Sequence, residues 1–214
     1  MTSLIVAFDD APTADLVRGA LYEGGSAPNV AAEVIHHLLP VGNRGGIRFA
    51  GSIAEPSLVA LQNTGKEVDW PDTIEADGAV TYYGDNRKPQ GPLEKARRGN
   101  QMLRAIANSG IRTRSARLRV PPFFIFTTSI DEAPPWSVRF EGLLVPGRLG
   151  EVETEWLTTE TRRSTAGTFE NYVFRGTLLD TDVVSRVWID GFQLGRLTDD
   201  SCPGELRSWI ETGC

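Results

Sequence analysis

Short apolar runs alternate with turn-forming residues along most of the chain. Between Ser137 and Leu143, for example, apolar Val138 and Phe140 flank Arg139, a period of two that is typical of a strand with one buried face. Runs of this kind predict eight strands, at Ser3–Phe8, Ala14–Tyr22, Gly46–Ala50, Ser57–Gln62, Ala79–Tyr83, Pro122–Thr128, Ser137–Val145 and Asn171–Leu179.

Longer segments with helical spacing of apolar residues separate these strands. They predict helices at Asn29–Leu39, Pro92–Asn108 and Asp182–Phe192, and a short one at Pro203–Thr212. In the second of these the apolar residues fall mostly on one side and the basic residues elsewhere, as in a helix that packs on a sheet. The predicted fold class is α+β, a curved and mostly antiparallel sheet or open β-barrel with flanking helices.

Composition narrows the class of protein. The 214 residues are 40% hydrophobic, enough for the core of one domain, and we expect a single domain over 1–214. No apolar run approaches the roughly 20 residues that span a bilayer, and the first residues lack a basic leader, so we expect a cytoplasmic protein without membrane contact. Two cysteines, Cys202 and Cys214, and two adjacent histidines predict neither a disulfide framework nor a metal site.

Charge is distributed unevenly along the chain. The net charge is −6, but ten basic residues and one acid lie between Asn86 and Arg119, so this segment carries +9 and the remainder −15. Such asymmetry is typical of one basic surface on an acidic body, and a basic surface can contact phosphates. A solvated basic face without a partner would give the same pattern.

The most informative segment runs from Val68 to Leu103. It contains Thr81-Tyr82-Tyr83-Gly84 followed by Asn100-Gln101-Met102-Leu103, and here the chain resembles SRA (SET- and RING-associated) domains, whose fold is PUA-like. The longer string Tyr82-Tyr83-Gly84-Asp85-Asn86-Arg87-Lys88-Pro89 is similar to the SRA-like N-terminal domain of modification-dependent (type IV) restriction endonucleases of the MspJI and AspBHI type. Further matching strings extend the resemblance over about residues 14–192: Tyr22–Gly25, Gly42–Arg48, Val120–Phe126, Gly142–Gly147 and Asn171–Phe174.

The resemblance implies a pocket for a cytosine that has been flipped out of the duplex. Such a pocket needs flat groups that stack on the base and an acceptor for its exocyclic amine. Trp70, Asp72 and Tyr82 supply these types at the family's spacing, with Thr73 as the alternative to Asp72 if the register slips by one. Strand alternation sends Tyr82 and Tyr83 to opposite faces, so one of them is expected to stack, and Tyr82 is preferred. Asp85 completes the predicted pocket, although it can equally be a turn residue.

Polar and basic residues around this segment are predicted to contact the DNA backbone or grooves. Arg87 and Lys88 leave the strand beside the pocket, and the start of the following helix is suited to phosphate. The glycine-rich loop Gly42–Gly46 either reaches into a groove or is a plain surface loop. The predicted DNA contacts are Asn43, Arg44, Arg48, Asn86, Arg87, Lys88, Lys95, Arg97, Arg98 and Asn100.

The sequence lacks the motifs of a catalytic site. It has no Glu-x-Lys triplet of a metal-dependent nuclease, no Gly-x-Ser-x-Gly elbow and no phosphate-binding glycine-lysine loop. We therefore expect a reader of double-stranded DNA with modified cytosine, without a cofactor and without an enzymatic activity of its own. The resemblance implies that a nuclease domain follows Cys214 in a longer parent endonuclease. The alternatives are a reader of hydroxymethylcytosine, of phosphorothioate DNA or of RNA, and a complete nuclease with an unrecognised site.

Overall fold

The computed structural model describes residues 4–86, 91–94, 98–128, 133–150, 155–164, 167–195 and 197–214. The strands are β1 Ile5–Val6, β2 Leu16–Val17, β3 Leu21–Tyr22, β4 Ile47–Gly51, β5 Pro56–Asn63, β6 Thr73–Ile74, β7 Ala79–Tyr83, β8 Phe123–Thr128, β9 Val138–Pro146, β10 Leu157–Ser164, β11 Gly167–Leu178 and β12 Val183–Val184. The helices are α1 Ile35–Leu38, α2 Gly99–Ser109, α3 Arg114–Arg117, α4 Arg186–Gln193 and α5 Gly204–Thr212.

Ten of the strands form one curved sheet. Its main path is β4-β5-β8-β9-β11-β7-β6, with β3 and β1 attached through β9 and with β10 beside β11. Most neighbours are antiparallel, while β5/β8 and β1/β3 are parallel. Among the described strands the path ends at β4 and β6 without closing into a barrel. The predicted fold class, an open and curved α+β sheet with flanking helices, is confirmed.

The main core covers both faces of the central strands, because consecutive residues of β5, β8 and β9 are buried. Five phenylalanines on β8, β9 and β11 are fully buried in it: Phe123, Phe124, Phe126, Phe140 and Phe174. The rings of Phe123 and Phe174 stack with centroids 5.1 Å apart. Burial of such large apolar side chains contributes strongly to the stability of the fold.

Several elements differ from the predicted boundaries. The predicted helix Asn29–Leu39 is a 3₁₀ turn at Val30–Ala32 followed by the four-residue α1, because Glu33 between them has an extended backbone. The predicted strand Ala14–Tyr22 is split into β2 and β3, with Gly19 at φ +78° between them. The strand β10, Leu157–Ser164, was not predicted at all.

Candidate nucleic-acid interface

A small aromatic cluster lies on the face of β7 and β11 that is opposite to Tyr82 and Phe174. It consists of Trp70, Tyr83, Phe169 and Val173. Tyr83 ends β7 and pairs with Val173 of β11, while Trp70 comes from the connection between β5 and β6. The ring centroids of Trp70 lie 5.1 Å from Tyr83 and 5.4 Å from Phe169, at interplanar angles of 54° and 61°. Trp70 is 2% exposed and Tyr83 9%, so the cluster is closed in this state.

Arg162 of β10 covers this aromatic cluster. Its guanidinium carbon lies 4.9 Å from the Trp70 ring centroid and 4.6 Å from that of Tyr83, within the range of cation–π attraction. Its Nη1 donates to the carbonyl of Asp69 at 2.7 Å, its Nε to Glu160 at 2.6 Å, and its Nη2 to the Tyr83 hydroxyl. Arg162 therefore ties the Trp70 segment to the sheet.

The phenol of Tyr83 is neutral in this setting. Burial raises the pKa of its phenol, and the nearby positive charge of Arg162 offsets only part of that rise. The hydroxyl lies 3.4 Å from a carboxylate oxygen of Glu160, to which it donates. The hydroxyl of Tyr83 is thus held by Arg162 and Glu160, while Arg162 and Trp70 pack against its ring.

Asp72 belongs to the same neighbourhood as the aromatic cluster. Its carboxylate accepts a hydrogen bond from the backbone N–H of Tyr83 at 2.8 Å, and its own carbonyl accepts one from the Asn63 amide at 3.3 Å. Thr73, the alternative acceptor, is exposed on β6, where it pairs with Thr81. The structure therefore brings Trp70, Asp72 and Tyr83 together.

Tyr82, the residue preferred from sequence, lies on the other face of β7. Its side chain belongs to the main core, is 3% exposed, and donates its hydroxyl hydrogen to the carbonyl of Gln62 at 3.0 Å. Tyr82 and Trp70 thus lie in different clusters in this structure. Strand alternation was expected to separate the two tyrosines, and it places Tyr83 on the face of Trp70.

The turn after Tyr83 is a buried amide network. Asn171 donates to the carbonyl of Gly84 at 2.8 Å, and Asn100 accepts from the backbone N–H of Asp85 at 2.9 Å. Asn86 donates to the carbonyl of Glu170 at 2.7 Å. Asn86 and Asn100 were predicted to contact DNA, but both are buried, and their amides instead join β7 and β11 to the start of α2.

Asp85 also has a structural position. One carboxylate oxygen accepts from the backbone N–H of Gly99 at 3.2 Å, at the first residue of α2. A carboxylate at a helix N-terminus satisfies an otherwise unpaired donor and favours the helix dipole. Asp85 was predicted to line the base pocket; the structure places it at the helix start instead.

The other predicted DNA contacts, apart from Asn86 and Asn100, divide into three groups. Arg44 and Arg98 are exposed and Asn43 is half-buried, so these side chains are open to a partner. Arg48, also predicted to contact DNA, is 5% exposed and forms an ion pair with Glu33 at 2.8 Å, so it lies below the surface in this structure. The remaining four, Arg87, Lys88, Lys95 and Arg97, lie outside the described residues.

The rest of the basic segment is partly internal. Arg117 is buried, and its guanidinium donates to the carbonyls of Ile210 and Glu211, both at 2.9 Å, which fixes the end of α5. Arg114 forms an exposed pair with Glu211. Arg104, Arg112 and Arg119 are exposed. The +9 charge of the segment therefore overstates the charge that can meet DNA.

Three residues of the site were missed from sequence: Arg162, Phe169 and Val173. Arg162 and Phe169 pair directly across the β10–β11 hairpin, and Val173 lies further along β11. The sequence signal for Arg162 is the β-branched composition of Thr158–Arg162, which is weak because the strand has little apolar content.

The structure also has a cleft that is separate from the aromatic cluster. An open cleft of about 360 Å³ is lined by residues 24–28 and 134–136, none of which belongs to the aromatic cluster. In the described part of the chain, no group of His, Cys, Asp or Glu has the geometry to hold a metal ion. No helix there is long and apolar enough to cross a membrane.

Comparison with known proteins defines the class. The family model "Restriction endonuclease AspBHI N-terminal" matches residues 16–214. The DNA recognition domain of the cytosine modification-dependent restriction endonuclease LpnPI is 32% identical with a TM-score of 0.87, and the match covers 100% of this chain and 95% of that one. The DNA modification-dependent restriction endonuclease AspBHI is 30% identical with a TM-score of 0.84, covering 98% of this chain and 54% of that one.

The chain is thus a DNA-recognition domain of the kind that modification-dependent restriction endonucleases carry. It belongs to the family of AspBHI N-terminal domains. The MspJI restriction endonuclease, solved in complex with a 27-mer oligonucleotide, shares the fold at 22% identity and a TM-score of 0.70, and the match covers 92% of this chain and 51% of that one. The chain spans about half the length of AspBHI and MspJI. No curated protein sequence matches it.

Proposed function

We propose that this domain recognises 5-methylcytosine in double-stranded DNA by accepting the flipped base beside Trp70 and Tyr83. The observation that carries the proposal is the aromatic pair with the Asp72 carboxylate hydrogen-bonded to the backbone of one partner. A flipped pyrimidine needs stacking surface and an acceptor for its N4 amine, and these residues provide both types of group.

Binding requires the aromatic cluster to open. With centroids 5.1 Å apart and tilted by 54°, the rings of Trp70 and Tyr83 leave no room for a third ring between them. Tyr83 is fixed in a strand with neighbours on both sides, whereas Trp70 belongs to a connection whose nearby Val68 is 91% exposed. Movement of the Trp70 segment away from the sheet is therefore the opening that this mechanism uses.

The indole of Trp70 supports a role in binding. Its Nε1–H is buried and has no hydrogen-bond partner among the described residues. An unmet buried donor costs about 1–3 kcal/mol, a cost that a ligand oxygen would remove. A carbonyl of the base or a phosphate oxygen is a suitable acceptor for it.

We also propose that the exposed Arg44 and Arg98 contact phosphates, together with Arg87, Lys88, Lys95 and Arg97. The acidic remainder of the chain would repel DNA from other faces and so orient the domain. In a longer parent protein, this module would direct a nuclease domain that follows Cys214 to modified sites.

Binding of matched duplexes tests the proposal. We expect the chain to bind a duplex with one 5-methylcytosine more tightly than the same unmethylated duplex. Tyr83→Leu should weaken binding of the methylated duplex by roughly tenfold, because one stacked aromatic contributes about 1–3 kcal/mol. Asp72→Ala should reduce the preference for methylated DNA. Fluorescence anisotropy at two salt concentrations measures both effects.

Two tyrosine variants serve as controls. Tyr83→Phe keeps the ring and should keep most of the affinity, and Tyr82→Phe, on the opposite face, should keep the preference for methylated DNA. Equal affinity of the unmodified chain for both duplexes would overturn the proposal. Duplexes with hydroxymethylcytosine or phosphorothioate, and an RNA duplex, identify the ligand in that case.

A further inference from the structure

Arg48 is a buried cation with an unusually complete set of partners. It lies on β4, and its Nη1 is 2.8 Å from a carboxylate oxygen of Glu33. The side chains of both residues are at most 3% exposed. A buried ion pair adds little net stability because of the desolvation of both charges, so its hydrogen-bonding geometry is the more informative feature.

That geometry is directed at the loop Gly42–Gly46. The Nε of Arg48 donates to the carbonyl of Gly45 at 2.8 Å, and its Nη1 reaches the carbonyl of Gly42 at 3.4 Å. One guanidinium thus bridges the two sides of the loop. Asn43 and Arg44 lie between the bridged residues, and Arg44 is exposed.

The end of the loop is anchored through a second residue, Gln62 of β5. The Gln62 backbone N–H donates to the carbonyl of Gly46 at 2.8 Å, and its side-chain oxygen accepts from Nη2 of Arg48. Its amide nitrogen donates to Thr128 at 3.0 Å. Tyr82 closes the arrangement, since a Cβ at Gly46 would lie 2.7 Å from its hydroxyl oxygen.

We propose that Arg48 is a positioning residue that preorganises the loop Gly42–Gly46 for contact with DNA and itself contacts no phosphate. This rests on the proposed function in one respect, that the loop meets DNA. A loop that is already ordered does not lose conformational entropy on binding, and affinity rises accordingly. Arginine is suited to this task because its planar fork reaches several acceptors at once, whereas lysine offers one point charge.

Arg48→Lys separates positioning from charge. Lysine keeps a cation beside Glu33, so the ion pair remains, but it cannot bridge both glycine carbonyls and Gln62. We expect the affinity for methylated and unmethylated duplexes alike to fall about tenfold. The slope of log affinity against log salt should stay unchanged, because no phosphate contact is lost. Amide hydrogen exchange in residues 43–46 of the free chain should accelerate.

Two further substitutions serve as controls for the changes in salt slope and in affinity. Arg44→Ala removes an exposed charge from the same loop and should lower the salt slope by about one. Arg117→Lys makes the same change at another buried arginine that binds backbone carbonyls, at the end of α5. Arg117→Lys should lower the melting temperature about as much as Arg48→Lys does, and it should leave DNA affinity unchanged.

A further variant leaves the ion pair intact. Gly46→Ala places a methyl group against the Tyr82 hydroxyl and displaces the end of the loop, so it should also weaken binding at constant salt slope. The proposal is overturned if Arg48→Lys binds as the unmodified chain does, if it lowers the salt slope as Arg44→Ala does, or if Arg117→Lys weakens binding equally. A missing preference for methylated DNA would sink only the proposed function, because the Arg48 effect is measured on both duplexes.

Discussion

Replacement of Glu33 by alanine is expected to lower the free energy of unfolding by about 3–5 kcal/mol, because it leaves the guanidinium of Arg48 charged and buried without its counter-ion. The same carboxylate also accepts from the backbone N–H groups of Ile35 and His36 at 3.1 and 3.2 Å, so the start of α1 loses both of these hydrogen bonds as well. Urea unfolding at neutral pH measures the change as a lower midpoint at constant m-value.

The chain carries a matched control on its surface. Arg114 and Glu211 form a bidentate pair with distances of 2.6 and 2.8 Å, but both side chains are about half exposed. Glu211→Ala should therefore leave the unfolding midpoint almost unchanged, because solvent screens an exposed pair. In Glu33→Ala/Arg48→Met the buried charge is gone, and the double variant should be more stable than Glu33→Ala alone. Equal losses for Glu33→Ala and Glu211→Ala would contradict the expected penalty.

The Glu33–Arg48 pair shows what charge patterning can and cannot predict. The sequence places an arginine at the start of a predicted strand beside a glycine-rich loop, and such a residue is exposed in most proteins. Its burial depends on Glu33, fifteen residues earlier, which interrupts the predicted helix Asn29–Leu39 with an extended backbone. A partner brought close by the tertiary fold cannot be identified from a single sequence.

Strand alternation in the sequence predicted one part of the candidate site, the separation of its two tyrosines. It predicts that Tyr82 and Tyr83 point to opposite faces of β7, as they do, but it does not tell which face holds Trp70. That choice depends on the path of the connection after β5 and on β10, which supplies Arg162. Because β10 has mostly polar residues and pairs only with β11 among the described strands, it lacks the apolar period that identifies a half-buried strand.

The family resemblance predicted the fold more completely than it predicted the residues of the site. The string from Tyr82 to Asn86 and the later Asn100 pointed to the correct family, yet Asp85, Asn86 and Asn100 are engaged in hydrogen bonds inside the protein. Their pattern in the sequence therefore reports the joint between β7, β11 and α2. That joint fixes where Tyr83 lies relative to the helix start, so it acts on the site through geometry.

Gly84→Ala is expected to be among the most destabilising single-methyl changes in the chain, with a loss of about 3 kcal/mol or more. A Cβ at this position would lie 2.2 Å from the side-chain oxygen of Asn100 and 2.5 Å from that of Asn171. Both amides are fully buried. Relief of the clash must either displace them and break their hydrogen bonds or move the backbone between Tyr83 and Asp85.

Either form of relief also reaches the aromatic cluster, because Gly84 directly follows Tyr83 and its carbonyl accepts from Asn171. Gly84→Ala should therefore lose affinity for methylated DNA even at temperatures where it remains folded, as urea unfolding and anisotropy on one sample can show. Gly204→Ala adds the same methyl group at the first turn of α5 with no atom within 4 Å, and helix propensity predicts unchanged or slightly higher stability there. An unfolding midpoint for Gly84→Ala equal to that of Gly204→Ala would show that the amide network can yield without cost, and the rigid joint inferred between β7 and α2 would have to be abandoned.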